Sequence, residues 1–116
     1  MDKAQRKELT TRYRQSRPEA GVYRIVNEQS QRALVGSSPN LPSVRSRLEF
    51  ARSTNTPSAL DHRLLADARA LGVGVFRFEV LEVLDIGADA TDAQLADDLA
   101  ALEDLWRERQ DPTLVY

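Results

Sequence analysis

The chain contains no cysteine. That excludes a disulfide framework and any thiolate zinc site. It has one histidine, His62, so neither a multi-histidine metal site nor a histidine pair can form. His62 falls off the apolar positions around it and is expected at the surface. No apolar run approaches the roughly 18 residues of a membrane span. The first 17 residues are charged and lack the apolar stretch of a secretory signal, so a cytoplasmic location without membrane contact is expected. There is no Walker motif and no dinucleotide fingerprint, and Gly72-Val73-Gly74 leads toward a strand rather than a helix, unlike a phosphate loop.

What remains is an ordinary globular composition of 116 residues, 41% hydrophobic and 29% charged, enough for one modest core. The net charge of −2 conceals an asymmetry. Residues 1–80 carry 14 Lys+Arg against 8 Asp+Glu, whereas residues 81–116 carry 2 against 10. A basic first two-thirds suits nucleic acid phosphates, with the acidic C-terminal part facing elsewhere; solvated faces of either sign are the plainer alternative. Fourteen of the 16 basic residues are arginine, the side chain suited to bidentate phosphate contacts.

Residues 2–15 (DKAQRKELTTRYRQ) read as a charged helix with few apolar positions, ending before Pro18. Residues 21–26 and 32–37 are short runs rich in Val, Ile, Leu and Tyr, joined by a polar turn at residues 27–30, which predicts a hairpin. Asn40 before Leu41-Pro42 predicts an N-cap and a helix to about Arg52. Thr56-Pro57 predicts the start of a second helix carrying Leu60, Leu64, Leu65, Ala68 and Leu71, stopped by Gly72. Residues 75–84 (VFRFEVLEVL) are the longest strand candidate, with Phe76, Phe78 and Val80 on one face and Arg77 and Glu79 on the other. Thr91-x-x-Gln94 predicts a capping box for a final helix to about Arg109. The order fits an α+β fold, a three-stranded antiparallel sheet flanked by helices.

Two tripeptides stand out. Gly21-Val22-Tyr23 opens the first strand and Leu34-Val35-Gly36 lies on the second. Gly36-Ser37-Ser38-x-Asn40-Leu41 follows, then Phe76-x-Phe78-x-Val80-Leu81, then Leu102-Glu103-x-x-Trp106. In this order and spacing, across residues 19 to 108, the chain resembles the GIY-YIG nuclease family. The resemblance implies a charged N-terminal helix over residues 1–18 before a GIY-YIG-like domain over residues 19–116. It implies DNA as partner and phosphodiester hydrolysis with Mg²⁺, or Mn²⁺, as cofactor.

By that resemblance Tyr23 lies beside the attacking water, as general base or water-positioning group, and Glu103 holds the metal. Glu103 is also at the flank of the apolar stripe Leu95, Leu99, Leu102 and Trp106, where a carboxylate can look into a cleft. Arg32, Ser37, Ser38, Asn40 and Arg52 are the expected nucleic-acid contacts. The pattern also departs from the family. Leu34 stands where the second tyrosine is usual, Val44 where an arginine is usual, and Leu48 where many members have histidine. Arg45 and Arg47, one and three residues past Val44, are the candidate replacements for the arginine. The chain is similar to a small-protein branch that lacks this arginine and carries a charged N-terminal helix. Three readings stay open: a metal-dependent endonuclease, a DNA-binding module without cleavage, and a protein-interaction domain. A homodimer or a protein partner is expected if double-strand cuts are made.

Overall fold

The computed structural model describes residues 17–116 except residue 88; the helix expected over residues 2–15 lies outside the described residues. The β-branched alternation from residue 21 onward forms strand β1, Gly21–Asn27, and β2, Ala33–Ser38, pairs with it antiparallel. Asn27 closes the hairpin between them. Its Oδ1 accepts the backbone N–H groups of Gln29 (3.0 Å) and Ser30 (3.2 Å), while Gln31 takes a positive φ of 65°. Asn27 is fully buried, and its Nδ2 is satisfied by the Tyr116 hydroxyl at 2.9 Å and the Asp67 carboxylate at 3.3 Å. An unpaired amide in that place would cost about 1–3 kcal/mol.

Helix α1, Leu41–Thr54, starts as its sequence indicates, with the Asn40 side chain accepting from the Ser43 N–H at 3.1 Å and proline in the first turn. The second predicted helix is not continuous. Thr56 makes no capping bond; its hydroxyl sits 2.7 Å from that of Thr54. A single 3₁₀ turn, Pro57–Ala59, gives way to two extended residues, Leu60 and Asp61. The Asp61 carboxylate then caps a new 3₁₀ turn, His62–Leu64, which runs into the short helix α2, Leu65–Leu71. The apolar spacing was compatible with one helix because Leu64 and Ala68 do reach the core. The capping chemistry of Asp61 decides where the helix begins.

Strand β3, Phe76–Val83, pairs antiparallel with β1, giving the sheet order β2-β1-β3. Its register shifts between Val22 and Tyr23, so Leu81 is left as the extra residue of a bulge. On one face of the sheet Ile25, Leu34 and Phe76 pack with Leu48 of α1 and with Leu64 and Ala68. Val80 shares the face of Phe76 and Phe78 but is 37% exposed. On the other face the buried Val22, Val26 and Val35 alternate with the core-facing residues. There Arg24 pairs with Glu79 across β1 and β3, and Arg77 meets Glu79 at 3.2 Å.

The last helix, α3 (Asp92–Glu108), opens with the expected reciprocal box, Gln94 N–H to the Thr91 hydroxyl (3.1 Å) and Thr91 N–H to Gln94 Oε1 (2.9 Å). It packs against β1 and β2, burying Leu95 and Leu99 beside Ala20. The expected α+β architecture with a three-stranded antiparallel sheet is what the structure contains. No described helix is long and apolar enough to cross a membrane.

Candidate functional site

The glycines of the two tripeptides are set by close approach. Tyr23 on β1 is the register partner of Gly36 on β2, and its ring lies across that glycine. A Cβ at Gly36 would stand 2.6 Å from the Tyr23 hydroxyl oxygen and 2.7 Å from its Cζ. At Gly21 a Cβ would stand 2.1 Å from the Glu82 carbonyl oxygen. One glycine therefore admits the tyrosine ring, and the other admits the backbone of β3 next to the bulge. The ring is held from the far side by Phe78, stacked at 5.6 Å between centroids with planes 26° apart.

Around Tyr23 a cleft of about 130 Å³ opens between β1, β2, α1 and the segment after α1. Leu34, Val44 and Leu48 all line it. The three positions at which the sequence departs from the nuclease pattern thus form one apolar wall. The polar side comes from Tyr23, Arg47 and Asp61.

Arg45, by contrast, lies over the face of Phe78, its guanidinium carbon 5.1 Å from the ring centroid, where its charge meets the aromatic quadrupole. Arg47 brings the cleft its cation.

Glu103 comes from α3 and is held at the β2 edge. Its Oε1 accepts the Ser37 hydroxyl at 3.1 Å, and its Oε2 is 3.1 Å from Arg107 one turn on. Arg107 also donates to the Val35 carbonyl at 3.4 Å. The Glu103 side chain is 20% exposed, so it is largely withdrawn from bulk water.

The phenol of Tyr23 feels the whole constellation. Burial pushes its pKa above the ordinary value of 10, the charges of Asp61 and Glu103 push it further, and Arg63 and Arg47 oppose them. Tyr23 is therefore a neutral phenol at physiological pH. It offers an O–H donor and an acceptor lone pair, not a phenolate.

Asp61 and Arg63 were not among the residues the sequence singled out. Arg63 grips the Asp61 carboxylate through Nε and Nη2, both at 3.0 Å, and its backbone N–H adds a third bond at 2.9 Å. That fork holds the Asp61 carboxyl down to about 2. The signal for them was the Asp-x-Arg capping pattern, concealed when residues 57–71 are read as a single helix. His62 between them is exposed, as expected, its side chain 88% accessible.

The expected nucleic-acid contacts are dispersed. Ser37 touches Glu103 directly. Ser38 accepts the Asn40 N–H at 3.0 Å, and Asn40 caps α1, so both build the β2–α1 corner. Arg32 is at the other end of the hairpin, over the Tyr116 ring at 4.2 Å and 3.8 Å from Asp67. Arg52 is exposed in the last turn of α1. Among the described residues no group of three or more His, Asp or Glu side chains gathers as a metal cluster.

A three-stranded antiparallel sheet in the order β2-β1-β3, with a helix after β2 and a last helix bringing a glutamate to the β2 edge, is the GIY-YIG nuclease fold. Among solved structures the chain matches the catalytic domain of intron endonuclease I-TevI, solved as a point mutant, with a TM-score of 0.57. The match covers 78% of this chain and 82% of that one at 18% identity, a likeness of fold. Neither protein-family models nor curated protein sequences give a match.

Proposed function

We propose that this chain binds DNA and hydrolyses its phosphodiester bonds as a metal-dependent endonuclease. The observation that supports the reading is that Tyr23 and Arg47 line one cleft and the Glu103 charge acts on the Tyr23 phenol, on a fold shared with a nuclease domain. In this reading Tyr23 orients the attacking water or a phosphate oxygen through its hydroxyl. A neutral phenol is a poor acceptor of the water's proton. Arg47 stabilises the charge that develops on the phosphoryl oxygens.

The donor chemistry at Glu103 fits Mg²⁺ or Mn²⁺: a hard carboxylate oriented by Ser37 and Arg107, the oxygen ligand that such an ion takes together with waters. Such an ion, when bound, lowers the pKa of its water and polarises the phosphoryl group. Ser37 and Arg107 hold the carboxylate at the β2 edge.

The test is cleavage of single-stranded, duplex and branched DNA with Mg²⁺ or Mn²⁺, run beside Glu103→Ala. Loss of cleavage in the variant is the expected result; cleavage that survives it removes Glu103 from the site. One observation favours a second reading, DNA binding without cleavage: Leu34, Val44 and Leu48 make the cleft wall apolar. Binding that weakens steeply with salt, with no product under any divalent ion, selects that reading. No binding at about 50 mM salt overturns both and leaves the protein-interaction alternative.

A further inference from the structure

Beside the cleft, bound to one of its lining residues, stands a second cation that the nuclease pattern does not call for. Arg63 sits on the 3₁₀ turn between α1 and α2, and the carboxylate it grips, Asp61, lines the cleft with Tyr23 and Arg47. The fork uses Nε and Nη2, which leaves the Nη1 donors outside it. A guanidinium clamped along one edge has its plane fixed before any ligand arrives, so little side-chain freedom is lost on binding. Arg45 spends its face on Phe78. Arg63 is the arginine in this region whose plane is set by two side-chain bonds.

We propose that Arg63 binds the phosphate at this cleft, in place of the arginine missing at position 44, and that Asp61 is the positioning residue that aims it. The proposal rests on the DNA-acting reading above and adds a residue from a different element. The electrostatics agree, because the Arg63 charge opposes the rise of the Tyr23 pKa, and the bond to Asp61 holds the Arg63 guanidinium charged. The interruption of the predicted helix at residues 60–61 gains a purpose: a continuous helix would leave no Asp61 cap to hold the guanidinium.

The experiment compares the full chain with Arg63→Ala, Arg63→Lys, Asp61→Asn and the control Arg69→Ala, which alters an exposed arginine on α2. Labelled duplex DNA is titrated at several salt concentrations, cleavage is followed with Mg²⁺, and thermal melts check the fold. Arg63→Ala should reduce the slope of log affinity against log salt by about 1, the contribution of one phosphate contact, and slow cleavage at least about tenfold. Arg63→Lys should keep the slope, because the charge remains, and still lose cleavage, because the fork is gone. Asp61→Asn should leave affinity unchanged or tighter and lower the cleavage rate, a split that a purely structural role does not produce.

Wild-type slope and rate in Arg63→Ala, with the unmodified chain binding and cutting, overturn the inference and spare the nuclease reading. A slope change no larger than that of Arg69→Ala overturns it also. An unmodified chain that neither binds nor cuts fails at the earlier step and takes the inference with it. If Arg63→Ala melts early, Arg63→Lys carries the comparison of slope against rate.

Discussion

Replacing Gly36 by alanine isolates the contact on which the proposed site depends. The new Cβ would lie 2.6 Å from the Tyr23 hydroxyl oxygen, 2.7 Å from Cζ and 3.2 Å from Cε1. A tyrosine tip can often swing clear of such an intrusion at little cost. Here Phe78 is stacked on the ring, and the ring also packs on the Ile25, Leu34 and Phe76 cluster, so swinging it breaks aromatic and core contacts together. The cost falls in the range of core overpacking, about 1–3 kcal/mol. For a domain of this size that lowers the melting temperature by roughly 4–15 °C.

A double-mutant cycle separates the clash from generic effects of alanine in a strand. In a Tyr23→Ala background the intruding methyl has nothing to meet. Gly36→Ala should then be neutral or stabilising by about 0.5–1 kcal/mol, as alanine for glycine in a strand interior normally is. The coupling between the two sites should be about 2 kcal/mol, read from denaturant melts of the four proteins. Equal effects of Gly36→Ala in the two backgrounds would refute the contact. A displacement of the hydroxyl by about 1 Å should also slow any cleavage about 100-fold. Wild-type cleavage in a destabilised Gly36→Ala would remove Tyr23 from the chemistry while leaving the packing argument intact.

Gly21→Ala should behave differently, because its Cβ meets the backbone of β3, 2.1 Å from the Glu82 oxygen and 2.9 Å from the Val83 Cα. We expect a loss of about 3 kcal/mol or more in urea unfolding, not relieved by truncating any side chain; recovery with a truncated neighbour would contradict this. The Tyr23 phenol should titrate above pH 10, seen as phenolate absorbance missing from Tyr23→Phe. Its folded pKa is raised, so its contribution to stability is complete below the unfolded value near 10 and is lost as pH rises toward the folded one. A Tyr23 transition below pH 9 would restore the phenolate-base mechanism.

The strands, the Asn40 cap and the Thr91–Gln94 box were legible in the sequence because each rests on local chemistry: β-branched alternation, an Asx side chain, a reciprocal hydrogen-bond pair. The Thr56–Leu71 segment was not. Its apolar spacing satisfies a helix, and the break depends on Asp61 accepting the Arg63 N–H, which apolar periodicity does not register. The role of Gly36 was visible only as part of a motif. That it makes way for a ring from the neighbouring strand is a tertiary fact. Arg45 and Arg47 were indistinguishable in sequence, and the rotation of α1 separates them, placing one on Phe78 and the other in the cleft.

The three departures from the nuclease pattern are scattered along the chain at positions 34, 44 and 48, yet they meet in one cleft. Independent loss of polar residues would leave buried donors or acceptors unpaired, each costing about 1–3 kcal/mol. Leu34 and Leu48 instead pack with Ile25 in the core, and Val44 lines the same cleft, so the wall is apolar throughout. Burial against this wall raises the cost of a phenolate at Tyr23. A cleft built this way can act on a phosphodiester only if its cations come from elsewhere than position 44. Arg47 lines the cleft, and the clamped Arg63 is the second source proposed above.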